Sequence, residues 1–256
     1  HAGPKEFLMN LESAVNAVDI PVFASLNAVY KESWIDYARK IEKTGVAGLE
    51  LNFYAVPKDF EISGNDIINE QLDIVKEVKE SLNIPVGVKL SPYYTNILSV
   101  IKRMDDLGVN GFVLFNRLFQ PEIDIEEEIN YYPYNLSNTA DNKLPLRYAG
   151  LLYDNIKGTI CSNTGIFTGH DTIKMIMAGA DCVQVVSTLY NNKIGYIETI
   201  LKDIEEWMDA KNYAGINDFK GKLSKKNITN PYAYKRAQYV DILMKSDNIF
   251  DRYPGV

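Results

Sequence analysis

Residues 49–57 read LELNFYAVP, and this stretch decides the fold prediction. Apolar residues at positions 49, 51 and 53 alternate with Glu50 and Asn52, which is the period of a β-strand. The small, apolar residues of GVAG (45–48) precede it and indicate that the strand is buried. A buried strand with a carboxylate and an amide on one face is expected to present both to a polar partner or ligand.

Five further runs have strand-like composition, and amphipathic helical patterns separate them. The runs are IPVFASL (20–26), IPVGVKL (84–90), GFVLFN (111–116), KGTICS (157–162) and DCVQVVS (181–187). Alternation of strand and helix predicts a parallel sheet with helices outside. The helix in SWIDYARKIEKTG is expected to have Ser33 as its N-cap and to end at Gly45.

Polar residues at the ends of these strands favour a closed (β/α)₈ TIM barrel, in which such residues converge on one mouth. No GxGxxG follows the first strand, so the dinucleotide-binding fold lacks its fingerprint. Six strands are too few for eight, so we expect one barrel domain over 1–256 that lacks its first βα unit or units. Segment 118–144 is expected to be a loop or hairpin insertion, with 131–137 a candidate for one more strand, and 212–256 a C-terminal helical extension.

Composition narrows the possible partners and the compartment. A net charge of −7 argues against a nucleic-acid-binding surface, and no apolar run approaches the length of a membrane span. The two cysteines, Cys161 and Cys182, lack CxxC spacing and are expected to be buried free thiols in a reducing cytoplasm. With two histidines far apart, the sequence has no metal-ligand signature.

The segment SNTGIFTGHD (162–171) is the strongest candidate for a phosphate site. It leaves a strand, passes through Thr164 and Gly165, and opens a helix whose N-terminus is expected to face the anion. Gly165 would let backbone N–H groups approach, and the hydroxyls of Thr164, Ser187 and Thr188 would assist. The alternative is a pair of ordinary βα turns.

Lys89 lies in an apolar strand, where a lysine is costly to bury without a partner. It is expected either to form a salt bridge with Glu50 or to place a cation near a ligand that becomes anionic. Asn52 and Asn116 each end an apolar strand, and their amides could bind a flat heteroaromatic ligand or cap turns.

Together these motifs resemble the FMN-dependent class 1 dihydroorotate dehydrogenases, and most closely the dihydroorotate dehydrogenase-like branch. The resemblance rests on ELN (50–52), VGVKLSPY (86–93), LFNR (114–117), the TGIFTGHD loop with AGADCVQV (178–185), and DFKGKLS (218–224). It implies an FMN-binding barrel, usually a homodimer, that oxidises dihydroorotate in pyrimidine synthesis.

The resemblance also implies roles for single residues. Lys89 corresponds to the lysine beside the flavin, Asn52 to an asparagine that contacts flavin and substrate, and Asn116 to a substrate-binding asparagine. Arg117 follows it where the family more often has Ser. The residues expected to hold FMN are Ser25, Asn52, Lys89, Phe115, Thr164, Gly165 and Ser187, with Thr164 and Gly165 in place of a Gly-Gly pair.

The same resemblance shows that this sequence lacks one catalytic residue of the family. Where the family has the cysteine that acts as general base, this sequence has Ala55, which has no proton-accepting group. Tyr54 is the nearest replacement, although an ordinary phenol titrates near pH 10.

We therefore expect a cytoplasmic FMN-dependent oxidoreductase that acts on dihydroorotate or a related small CH–CH substrate. Two alternatives stay open at this point: a flavin-free, phosphate-binding lyase with Lys89 as Schiff base, and a barrel without catalytic activity. The sequence does not identify the electron acceptor.

Overall fold

Six parallel strands form one curled sheet in the order β1-β2-β3-β4-β7-β8, which is the strand arrangement of a (β/α)₈ barrel without two of its eight strands. The computed structural model describes residues 3–28, 30–54, 59–118, 120–133 and 136–234. The strands of this sheet are β1 (Phe23–Leu26), β2 (Gly48–Asn52), β3 (Val86–Leu90), β4 (Gly111–Leu114), β7 (Thr159–Asn163) and β8 (Cys182–Gln184). The predicted fold class is confirmed.

Eight α-helices lie among the described residues. They are α1 (Pro4–Ala17), α2 (Lys31–Glu42), α3 (Gly64–Ser81), α4 (Ile97–Asp106), α5 (Lys143–Leu152), α6 (Gly169–Ala178), α7 (Ser187–Asn192) and α8 (Tyr196–Lys211). One of them, α7, contributes Ser187 and Tyr190 to the barrel mouth. None of the described helices is both long and apolar enough to cross a membrane.

Strand alternation separates an apolar outer face from a polar interior. In β3, Val88 and Leu90 are fully buried against the helices, whereas Lys89 between them is half-buried and faces the barrel interior. In β2, Leu49 and Leu51 are buried in the same way, and Glu50 and Asn52 face the interior. The polar residues of the first motif therefore point to the centre of the barrel.

Glu50 holds the curl of the sheet. Its Oε1 accepts a hydrogen bond of 2.7 Å from Ser25 Oγ on the neighbouring strand β1. Its Oε2 accepts one of 3.1 Å from Gln184 Nε2 on β8. In a flat sheet β2 and β8 would lie four strand spacings, about 19 Å, apart. The hydrogen bond is possible only because the sheet curls into most of a barrel.

Several local expectations need correction. Helix α2 begins at Lys31 with Tyr30 as its N-cap, so Ser33 lies inside the helix, although the chain turns at Gly45 with φ +84° as expected. The run DCVQVVS is a strand only to Gln184. Helices α5 and α7 were not predicted.

The insertion contains a small antiparallel hairpin of β5 (Glu122–Asp124) and β6 (Ile129–Tyr131). Among the described residues of the candidate strand 131–137, which exclude 134 and 135, Tyr131 alone lies in a strand, and that strand belongs to the hairpin rather than to the barrel. Farther along the chain, Phe219 is buried against α6 and α8, with its ring 5.0 Å from that of Trp207. The segment after α8 is thus packed onto the barrel.

Candidate functional site

A cavity of about 410 Å³ at the barrel mouth brings together most of the predicted site residues. Its lining includes Lys89, Phe115, Asn116, Arg117, Thr164, Gly165 and Ser187. They come from the C-terminal ends of four strands, where parallel strands of a barrel present their catalytic residues. Residues far apart in the chain therefore form one site.

Lys89 supplies an uncompensated positive charge in this cavity. The salt bridge considered between Lys89 and Glu50 is absent: among the described residues, Lys89 Nζ makes no ion pair and no side-chain hydrogen bond. Both oxygens of Glu50 are instead bound by Ser25 and Gln184. A half-buried ammonium without a carboxylate partner favours an anionic ligand.

The turn after β7 has the unusual backbone expected of a phosphate-binding loop. Thr164 and Gly165 have φ values of +75° and +73°, in the left-handed region that glycine adopts most easily. A Cβ at Gly165 would lie 2.5 Å from the backbone nitrogen of Asn142, so no larger residue fits there. Thr164 Oγ1 donates towards Phe115 O at 3.1 Å, which ties the turn to the end of β4.

The N-terminus of α6 was expected to face the anion, and this expectation is wrong. Asp171 Oδ2 accepts hydrogen bonds from the amides of Phe167 and Thr168 at 3.2 and 3.3 Å. The Gly169 amide donates to Asp203 Oδ2 from α8 at 3.3 Å. Carboxylates of the chain itself therefore occupy this helix end.

Other donors remain available in the cavity. The hydroxyl of Thr188 is buried and donates to Phe167 O, so it does not reach the cavity as expected. Ser187 Oγ accepts hydrogen bonds from the amide and hydroxyl of Ser137. Within the described residues the amide groups of Gly165 and Ser187 make no hydrogen bond, and they are therefore among the free donors of this region.

Asn52 and Asn116 contact each other across β2 and β4. Asn116 Nδ2 donates to Asn52 Oδ1. This leaves one N–H₂ group, on Asn52, and one carbonyl oxygen, on Asn116, for a ligand. Arg117 Nε lies 3.3 Å from Asp141 Oδ2 in an ion pair, so a carboxylate already balances its charge.

Three other predicted residues do not line this cavity: Ser25, Asn52 and Tyr54. Asn52 is connected to it through its hydrogen bond with Asn116. Ser25 lies on the edge strand β1, where its hydroxyl donates to Glu50. It lines a different cavity from the one that contains Lys89. Tyr54 follows β2 and is 40% exposed. Ala55 lies outside the described residues.

The two cysteines are neighbours inside the barrel. Cys161 on β7 is the direct register partner of Cys182 on β8. The expectation that both are buried is wrong for Cys182, which is exposed, while Cys161 is buried. The interaction between the two thiols, together with burial, raises the pKa of Cys161, and the hydrogen bond from Cys161 lowers the pKa of Cys182.

Sequence reasoning missed three residues that shape the site. Gln184 was noted only as a polar strand end, although it binds Glu50 and lines the cavity. Ser137 and Asp141, from the insertion, bind Ser187 and Arg117. Their signal was weak, because polar residues in a long insertion are indistinguishable from ordinary loop residues.

Comparison with known proteins decides the family. A family model described as dihydroorotate dehydrogenase matches residues 2–208. This chain belongs to the dihydroorotate dehydrogenase family. The match covers most of the chain. No support is found for the Schiff-base lyase or for the non-catalytic barrel.

Individual dihydroorotate dehydrogenases are similar at moderate identity. The catalytic subunit of dihydroorotate dehydrogenase B (NAD(+)) from Methanocaldococcus jannaschii is 28% identical over 220 residues, which are 82% of this chain and 71% of that protein. The corresponding subunit from Thermoplasma acidophilum is 29% identical, over 78% of this chain and 68% of that protein. Dihydroorotate dehydrogenase A (fumarate) from Lactobacillus helveticus is 25% identical, over 80% and 68%.

FMN is the cofactor of this dihydroorotate dehydrogenase family, and the cavity fits it in charge and donor set. Lys89 provides a positive charge on the cavity wall, and no residue in the described part of the chain pairs with it. The free amides of Gly165 and Ser187 suit a phosphate, and the Asn52–Asn116 pair suits a flat ring with alternating donors and acceptors.

Proposed function

We propose that this chain is an FMN-dependent oxidoreductase that oxidises dihydroorotate, or a related small CH–CH substrate, by hydride transfer to the flavin. The observation that carries the proposal is the ammonium of Lys89, which has no partner among the described residues and lies in one cavity with Asn116, Gly165 and Ser187, in a chain of this family. FMN, when bound, supplies the hydride acceptor.

The side chains have separate roles in this proposal. Lys89 stabilises the negative charge that develops beside it as the substrate is oxidised. Asn52 donates through its free amide and Asn116 accepts through its free oxygen, and these two contacts orient the reacting rings. Gly165 and Ser187 bind the phosphate through backbone amides, and Thr164 fixes the turn.

The reaction also needs a group that accepts the proton of the substrate. Ala55 stands where the family has its cysteine base, and Tyr54 is the proposed replacement. Its exposure is compatible with proton exchange with solvent. A Tyr54→Phe variant keeps the ring and removes the hydroxyl, so it tests the role directly.

The function is tested by a visible absorption spectrum of the purified protein, followed by anaerobic addition of dihydroorotate. A flavin band that bleaches supports both cofactor and substrate. A flavin band that persists contradicts dihydroorotate as substrate, and no flavin band after adding FMN contradicts the whole proposal. Fumarate and NAD⁺, named for the similar enzymes, are then compared as electron acceptors.

The same experiment on Lys89→Ala separates catalysis from folding. We expect flavin reduction to slow by about a hundredfold or more, because the developing charge loses its cation. Lys202→Ala, on the exposed face of α8, is the matched control and should reduce at the parent rate.

We also propose that the protein is a cytoplasmic homodimer that uses its hairpin as interface. Ile123, Ile125 and Tyr132 in and beside the hairpin are 61%, 78% and 78% exposed. An isolated two-stranded hairpin with exposed apolar side chains is marginally stable in water, which supports a covering partner. Analytical ultracentrifugation should give a dimer that Ile125→Asp dissociates. A monomeric parent protein would contradict the proposal.

A further inference from the structure

A second cavity, of about 640 Å³, lies outside the cavity that contains Lys89. We call it the α3–α4 groove. Its walls are the N-terminal half of α3 (63–71), the end of β3 with the following loop (91–96), and one face of α4 formed by Ser99, Val100 and Arg103. The groove shares Tyr93 and Leu118 with a cavity beside Asn116, so it lies next to the barrel mouth.

Two buried side chains of the groove each have a polar group without a hydrogen-bond partner among the described residues. Ser91 is 7% exposed, and its hydroxyl makes no hydrogen bond among the described residues. Gln71 is 6% exposed; its Oε1 accepts from Tyr94 Oη at 2.7 Å, and its Nε2 is left without an acceptor. The Ser91 hydroxyl and Gln71 Nε2 are not among the solvent-inaccessible unpaired atoms of the described residues, so both keep some accessible surface. Both residues line the groove. Buried polar groups of this kind normally bind a partner.

The charge of the groove is positive. Of the described residues that line it, only Arg103 is charged, and its guanidinium donates to Asn69 Oδ1 at 3.1 Å, with further N–H groups to spare. The N-terminus of α4 also faces the groove: Asn96 Oδ1 accepts from the Ser99 amide, and the first amides of the helix stay free. The carboxylate of Asp66, in the first turn of α3, accepts hydrogen bonds from the amide and hydroxyl of Ser63.

We propose that the α3–α4 groove is a binding site for a small, acceptor-rich anion that carries a carboxylate or phosphoryl group. Arg103 binds the charge, and Gln71 Nε2 and the Ser91 hydroxyl donate to its oxygens. Arg103 and Gln71 Nε2 can only donate, and the Ser91 hydroxyl can donate as well, so an apolar ligand would leave all three unpaired, and a cation would be repelled by Arg103. The site is separate from the flavin cavity and does not depend on the proposed oxidoreductase function.

The test is isothermal titration of the FMN-saturated protein with succinate and, separately, with inorganic phosphate. Saturation with FMN occupies the other phosphate site. We expect Arg103→Gln to weaken binding by about tenfold or more, because it removes a charged hydrogen-bond donor. Gln71→Leu should weaken it in the same direction. Arg39→Gln on α2 removes the same charge elsewhere and should bind like the parent protein.

The outcomes distinguish a carboxylate ligand from a phosphoryl ligand. They also distinguish failure of the groove proposal from failure of the flavin-site proposal. Binding of succinate alone identifies a carboxylate ligand, and binding of phosphate alone a phosphoryl ligand, provided that Arg103→Gln weakens it. Equal affinity in all variants, or no binding of either probe, overturns the inference. FMN affinity is measured in each variant, and the titrations are repeated without FMN, so failure of the flavin site is seen independently.

Discussion

Thr164 is the residue where this chain departs most clearly from a glycine-lined phosphate loop. Its φ of +75° is uncommon for a β-branched residue, and its hydroxyl is used to hold the turn to Phe115 O. The next residue, Gly165, has no alternative, because a Cβ would meet the backbone of Asn142. The turn therefore keeps its shape but loses some room for backbone approach.

A Thr164→Gly substitution should increase FMN affinity. Glycine removes the cost of the left-handed backbone and opens space above the amide of Gly165, so we expect the dissociation constant to fall by about threefold or more. Flavin fluorescence quenching measures it. Thr164→Ala keeps a Cβ at the same φ and should bring no gain; an equal gain in both variants would contradict the explanation.

The cysteine pair gives a second prediction at this scale. Cys182 is exposed and its pKa is lowered by the hydrogen bond from Cys161, whereas Cys161 is buried with a raised pKa. Iodoacetamide at neutral pH should therefore label Cys182 faster, by about tenfold or more, because the thiolate is the reactive form. Mass spectrometry reads both sites. Cys161→Ala should slow labelling of Cys182, and unchanged labelling would show that the hydrogen bond has no effect.

The N-terminus of helix α6 is capped by a carboxylate of the helix itself, that of Asp171. Burial alone would raise the pKa of Asp171, but the hydrogen bonds from Lys174, Phe167 and Thr168 outweigh burial and lower the pKa below its ordinary value. A carboxyl with a lowered pKa stabilises the fold above its unfolded-state pKa, and this stabilisation is lost as the pH falls through the lowered value.

An Asp171→Asn variant should therefore be less stable than the parent at neutral pH, by about 1–3 kcal/mol. The difference should shrink as the pH falls from about 4, the ordinary pKa of an aspartate, through the lowered pKa of the parent carboxyl, which becomes protonated there. Urea unfolding at several pH values measures it. Asp209→Asn, on the exposed end of α8, is the control; a difference that persists in acid would contradict the role of the charge.

The strands could be predicted from the sequence, and the contacts of the loops could not. Leu49, Leu51, Val88 and Leu90 alternate with polar residues, and the structure buries them as their period requires. The hydrogen bond from the Gly169 amide of α6 to Asp203 depends on how α8 packs. The hydrogen-bond partner of Ser187 is Ser137, which is 50 residues away in the chain. Local patterns contain no information about such contacts, so the sequence predicted which residues gather at the barrel mouth but not the partners they have there.

At the scale of the whole molecule, Glu50 connects three strands, including both edges of the sheet. Replacing it with alanine removes the acceptor of Ser25 and Gln184. Glu50→Ala should lower the free energy of unfolding by about 2–4 kcal/mol. Urea denaturation measures it, and Glu80→Ala on the exposed side of α3 should change stability by less than about 0.5 kcal/mol. Similar values for both would show that the curl is held by the backbone alone.

The barrel could also be predicted at this scale, since repeated strand and helix units with polar strand ends leave few alternatives. The hairpin of the insertion was expected as one of two possibilities. Which residues cross the barrel could not be predicted, because Glu50 and Gln184 are 134 positions apart and meet only after the sheet has curled.

The three-way contact at Glu50 has a consequence for the evolution of the family. A serine at 25 and a glutamine at 184 are each useful only while an acceptor stands at position 50, so a change at one position alters the selection on the other two. Substitutions at the three positions should occur together across lineages, and chains that lose the acidic residue should replace both of its donors.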